Sequence, residues 1–150
     1  MSEAKTSERP GPAAALSEAQ RATIARASEA IDIDFILKTL REAVEIPSPT
    51  GEGRALGEFF TRTMNQRGIA AQYQPIDEHR GNSIGRVEGT GEGPDLLFYG
   101  HLDTTFTADL DEDRPVLGHA ARPDLQPKFQ RRDDLLFGLG LQNPKGSVTC

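Results

Sequence analysis

Apolar positions along this chain change their spacing at Gly68, and the change separates a helical first half from a strand-containing second half. Residues Met1 to Leu16 are small, polar and proline-containing and read as a disordered leader. Ser17 followed by Gln20 matches a capping box and predicts a helix to about Ala30, rich in Arg, Ala and Glu and with little to bury. Ile33, Ile36, Leu37, Leu40 and Val44 then recur at helical spacing, forming one apolar stripe that faces a core. Pro47 and Pro49 stop that helix. A turn at Ser48-Pro49-Thr50-Gly51 leads into a third helix from about Glu52, with Leu56, Phe59, Phe60 and Met64 inward and Gly68 as its C-terminal cap.

Beyond Gly68 the pattern predicts a strand over 69–74 and a second over 82–87, separated from the next run by a glycine-rich turn. The run Asp95 to Tyr99 is continuously apolar after its first residue, which predicts a strand buried on both faces in the middle of a sheet. Residues 109–134 are charged and proline-containing and read as a long surface loop. Leu135-Leu136-Phe137 reads as a short strand, and 138–146 as a loop leading out of it. Helices preceding strands, with a buried strand ending in polar residues, argue for a layered α/β domain from Ser17 to Cys150. Sites in such sheets gather at the carboxyl ends of strands.

Composition narrows the function classes. The 150 residues are 36 % hydrophobic, below the usual share, so the ordered core is smaller than the length suggests. A net charge of -6, with no basic stripe, argues against a nucleic-acid surface. No apolar run is long enough to span a bilayer, and the N-terminus lacks the sustained apolar segment of a secretory signal. The single cysteine, Cys150, excludes an intramolecular disulfide and fits a reducing, cytoplasmic setting.

The chemistry concentrates in Gly100-His101-Leu102-Asp103-Thr104, directly after Leu96-Leu97-Phe98-Tyr99. Side chains two apart on an extended backbone share a face, so His101 and Asp103 emerge together. That pairing suits a zinc ligand and the carboxylate that orients it. It equally suits a histidine that merely bonds a neighbouring carboxylate. His79 and His119 lie in polar connections and read as solvated loop positions. Gly81-Asn82-Ser83-Ile84-Gly85 has the letters of a nucleophile elbow, but that motif needs a strand before the serine and a helix after it, and here a strand and a glycine turn follow. Lys145-Gly146-Ser147 reverses the lysine and glycine of a phosphate-binding loop, which removes the nucleotide reading.

Four blocks then stand in order: Phe35-Ile36-Leu37 through Ile46-Pro47-Ser48-Pro49-Thr50-Gly51-Glu52; Asn82-Ser83-Ile84; Leu96 through Thr104; and Gly138-x-Gly140-x-x-Asn143-x-Lys145-Gly146. Together they resemble the N-terminal part of M20 family zinc metallopeptidases, which include acetylornithine deacetylases, desuccinylases, aminoacylases and carboxypeptidases. The resemblance implies a three-layer zinc-hydrolase domain with a mixed sheet between helices, of which this chain holds the first part. It also implies cleavage of an amide or peptide bond next to an amino-acid carboxylate, at two zinc ions joined by a carboxylate and a water. On it, His101 matches the first zinc ligand, Asp103 the carboxylate that orients it, and Asn143 stands where the family has a bridging aspartate.

An amide oxygen can coordinate a metal but brings no negative charge to neutralise two dications. Asn143 therefore leaves the number of metals, one or two, open, and equally admits a loop residue bonding its own turn. In the family the general-base glutamate and the remaining ligands lie downstream of the Lys-Gly step. The 150 residues alone are accordingly expected neither to hold zinc tightly nor to hydrolyse amides, since a zinc site needs four ligands, or three and a water. The implied partner is a small amide or peptide substrate, with homodimerisation possible through a smaller inserted domain further along. The alternative is an M20-like binding or regulatory module that has lost the two-metal site.

Overall fold

The computed structural model describes residues 15–118 and 126–150. The chain divides into two units, Met1–Asp32 and Ile33–Cys150. Most of the expected leader, and His119, lie outside the described residues.

The first unit contains helix α1, Glu18–Glu29, and its start is the expected capping box. Ser17 Oγ accepts from Gln20 N–H at 3.2 Å, and Gln20 Oε1 accepts from Ser17 N–H at 2.8 Å. None of its residues is buried, so local capping and propensity carry it. Ser17→Ala is expected to cost about 1 kcal/mol of helix stability. The loss should appear in the NMR chemical shifts of residues 18–21, with those of Leu56 and Phe59 unchanged.

The second unit mixes helices with two small antiparallel sheets. Helix α2, Ile33–Glu45, and helix α3, Arg54–Gln66, follow the predicted stripes. Burial on α2 falls on its second half, at Thr39, Leu40, Ala43 and Val44, while Ile33 is exposed. Ala43, Leu56, Phe59 and Phe60 form the core cluster, with Ile46, Leu102 and Val148 packed against it. Phe59 and Phe60 meet edge to face with ring centroids 5.3 Å apart, a favoured arrangement of aromatic quadrupoles.

Strands β1, Ala70–Pro75, and β2, Gly81–Arg86, pair antiparallel, Gln72 opposite Ile84 and Tyr73 opposite Ser83. Ser83 therefore lies inside a strand, bonded to the Thr61 hydroxyl at 2.8 Å, and no nucleophile elbow forms. The hairpin packs on α3, where Gly57 gives the Tyr73 ring room: a Cβ there would approach Tyr73 Cε2 to 2.8 Å.

Two expectations fail. The run Leu96–Tyr99 forms no strand, and its four side chains are 78 to 90 % exposed. A central strand needs a hydrogen-bonding neighbour on each edge, and no described strand offers it one. The expected 109–134 loop also contains order. Helix α4, Leu110–Leu117, starts where Asp109 Oδ1 accepts from the backbone N–H groups of Asp111 and Glu112. Asp113, buried, ties the preceding turn by accepting from Thr107 N–H, Thr107 Oγ1 and Ala108 N–H at 2.9 to 3.1 Å.

The short strand at Leu135 is present. Strands β3, Gln130–Arg132, and β4, Leu135–Phe137, make a hairpin whose turn places Asp133 at φ 54°, a left-handed conformation that Asp tolerates. Helix α5, Lys145–Thr149, follows the Asn143–Pro144 bond, which is cis. Among the described residues no helix is long and apolar enough to cross a membrane.

Candidate functional site

His101, Asp103 and Asn143 come together although 42 residues separate the first from the last. The segment after Leu96–Tyr99 is held by the exit of α2. Thr104 N–H donates to Ser48 O at 2.7 Å, Ser48 Oγ donates to Leu102 O at 3.0 Å, and Pro49 and Thr104 form an isolated parallel bridge. Residues 101–103 therefore follow a backbone fixed at Leu102 and Thr104 and turn their polar side chains away from the core.

His101 Nδ1 lies 3.1 Å from Asp103 Oδ1 and 3.1 Å from the Asp103 carbonyl oxygen. Both partners are acceptors, which assigns a hydrogen to Nδ1. On the other side of the ring, Nε2 lies 3.0 Å from Asn143 Oδ1. In the neutral ring Nε2 carries a lone pair, so two acceptors face each other across that gap. A proton on Nε2 resolves the conflict, as does a turn of the amide that presents its NH2 to the ring, or a cation held by both atoms.

The electrostatics follow from the same contacts. The Asp103 carboxylate raises the His101 pKa above its ordinary value, against partial burial, and Asn143 adds to the rise. Asp103 is itself lowered, first by the Thr50 hydroxyl, which donates to Oδ2 at 2.7 Å, and then by His101, against the opposing effect of burial. Thr50, in sequence part of a turn and of the first block of the resemblance, is thereby a member of the site. The signal that could have found it is the Pro49–Thr104 pairing, which is not visible without the fold.

His79 stays apart, exposed and bonded through Nδ1 to Glu52 Oε2 at 3.2 Å. That agrees with a solvated loop position.

As a test for zinc, the donor set is apt in kind: an imidazole nitrogen backed by a carboxylate and an amide oxygen at adjacent-ligand separation. It is short in number. Among the described residues no group of three or more His, Cys, Asp or Glu side chains could hold a metal. His101 and Asn143 fit as two members of a coordination sphere, and the described residues supply no third.

In sequence the chain is similar to peptidases and hydrolases, and these similarities support a peptidase or hydrolase family. It is 29 % identical over 121 residues to a protein of Aspergillus clavatus named "Probable carboxypeptidase", covering 80 % of this chain and 28 % of that protein. A second "Probable carboxypeptidase", from Emericella nidulans, is 26 % identical over 122 residues, with 80 % and 26 % covered. A LysW-lysine hydrolase of Deinococcus radiodurans is 40 % identical over 73 residues, covering 49 % of this chain and 18 % of the hydrolase. The chain thus spans no more than 28 % of the length of these curated relatives. No protein-family model matches it.

Proposed function

We propose that the chain carries the first part of an M20-type, zinc-dependent hydrolase. Its reaction is cleavage of an amide or peptide bond next to an amino-acid carboxylate, in a three-layer α/β domain working in the cytoplasm. The observation that carries this reading is the row Thr50, Asp103, His101, Asn143, which ends with His101 Nε2 and Asn143 Oδ1 3.0 Å apart. Hydrolase relatives over 80 % of the chain support the same reaction class.

His101 Nε2 and Asn143 Oδ1 would hold the zinc, which when bound polarises a scissile carbonyl and lowers the pKa of its water toward about 7. Asp103 accepts the Nδ1 hydrogen, fixes the ring's orientation and keeps Nε2 free to act as a ligand. Thr50 in turn holds the second carboxylate oxygen of Asp103, so the carboxylate cannot rotate out of plane with the ring without losing a bond.

The test is a panel of N-acyl amino acids and dipeptides presented to the gene product expressed through its whole reading frame. Release of free amino acid should vanish with a chelator and return with zinc. Failure of every substrate in the zinc-loaded protein would leave the second reading, a binding or regulatory module. That reading is favoured by one feature, the uncharged amide of Asn143 where a bridging carboxylate is required to neutralise two ions.

In the product of the whole reading frame, Asn143→Asp separates one metal from two. Restoring the charge is expected to raise zinc content, measured by metal mass spectrometry, toward two ions per chain. Equal content in variant and parent means that position 143 does not face the metal.

A further inference from the structure

Lys145 stands two residues after Asn143, at the Lys-Gly step, and its surroundings give it a task. It is 0 % exposed. Its ammonium donates to Ile46 O at 2.5 Å and to Val44 O at 3.4 Å. These carbonyls lie where α2 runs out and backbone acceptors lose their helical donors, an end that also favours a cation through the helix dipole. Burial alone pushes the ammonium down to about 8. A methionine would fill the same space without desolvating a charge, so filling space does not account for a lysine here.

Two further contacts make the anchorage local to Asn143. Lys145 N–H donates to Gly140 O at 2.8 Å, closing the loop that carries Asn143. The lysine stem lies against Gly140, whose φ of 84° and lack of a side chain permit the approach. A Cβ there would come within 3.0 Å of Lys145 Cγ and Cδ and within 2.9 Å of Thr104 Cγ2. The α2 exit that receives the ammonium continues into Ser48 and Pro49, which hold Leu102 and Thr104 on either side of Asp103. One segment, 44–50, is therefore bonded to both halves of the site.

We propose that Lys145 is a positioning residue: its buried ammonium fastens the Asn143 loop to the exit of α2, the segment that also fastens His101 and Asp103, and so sets how Asn143 meets His101. Its importance for catalysis rests on the hydrolase reading. Its geometric action does not.

The experiment is long-range proton–nitrogen NMR of the His101 ring and the Asn143 side-chain amide, in the metal-free 150-residue chain, comparing the parent with Lys145→Met and Lys145→Gln. Both variants should keep the signals of Leu56, Phe59 and the β1–β2 hairpin, and the His101 Nδ1 signal set by Asp103. The His101 Nε2 and Asn143 amide signals should lose their parent positions. A third variant, Lys145→Cys in a Cys150→Ser background, alkylated with 2-bromoethylamine while unfolded, restores an ammonium of nearly the same length and should return them.

Three outcomes overturn the proposal: unchanged His101 and Asn143 signals in folded Lys145→Gln, core signals that move together with those of Asn143, or unfolding of both neutral variants. Because no zinc or substrate is present, failure of the hydrolase assay leaves a positive result here standing. An unchanged site in these spectra equally leaves the hydrolase assay to be judged alone.

Discussion

On the hydrolase reading, His101→Ala in the product of the whole reading frame is expected to lower hydrolysis by about 1000-fold or more while leaving the stability of the fold unchanged within about 0.5 kcal/mol. The loss follows from the residue's place. It is the imidazole of the row, held by Asp103 on one nitrogen and presenting the other toward Asn143. Lewis-acid stabilisation of a transition state amounts to several kcal/mol, and each 1.36 kcal/mol is a factor of ten in rate. The fold is spared because the side chain is about half exposed and its side-chain bonds run to Asp103 and Asn143, not to the core. Asp103→Asn keeps the shape but removes the charge, and metal affinity should fall about 10- to 100-fold. Kinetics with thermal unfolding on the same preparations checks both. Full activity in the His101→Ala protein would remove His101 from the mechanism.

Leu56→Ala should have the largest effect on stability, a loss of about 2 to 5 kcal/mol. Leu56 is completely buried on α3, in one cluster with Ala43, Phe59 and Phe60. Deleting its isobutyl group removes transfer energy and leaves a cavity that the surrounding aromatic rings cannot readily close. For a chain of this size the loss lowers the melting temperature by roughly 4 to 20 °C, read by circular dichroism. Leu97→Ala is the contrast. Leu97 is 85 % exposed, so its truncation should change stability by no more than about 0.5 kcal/mol. A strand buried on both faces would give the opposite ranking, with Leu97 costing as much as Leu56.

What was legible in the sequence is what neighbours in the chain decide. The Ser17–Gln20 box, the stripe through Leu40 and Val44, the α3 face through Leu56 and Phe60, and strands β1 and β2 each appear within a residue or two of their expected places. Helix α4 was legible in part. Asp109 as cap with Asp111, Glu112 and Asp113 in the first turn is a helix start, obscured by Pro115 and the surrounding charge. The apolar run at Leu96 could not be resolved from its letters, because hydrophobicity reports a preference for burial and says nothing of whether ladder partners are present.

The sequence by itself determined α1 to α3, strands β1 and β2 and the pairing of His101 with Asp103, since each depends on residues close together in the chain. Only the tertiary structure decided that Asn143 faces His101, that Thr50 holds Asp103, and that Lys145 is buried against the end of α2. Those contacts join residues 42 to 99 positions apart. The physical reason is that a carbonyl left bare at a helix end, or a lone pair left facing another, has no signature in its own residue type. It acquires a partner only when packing of Leu56, Phe60 and Val148 brings distant segments to the same place.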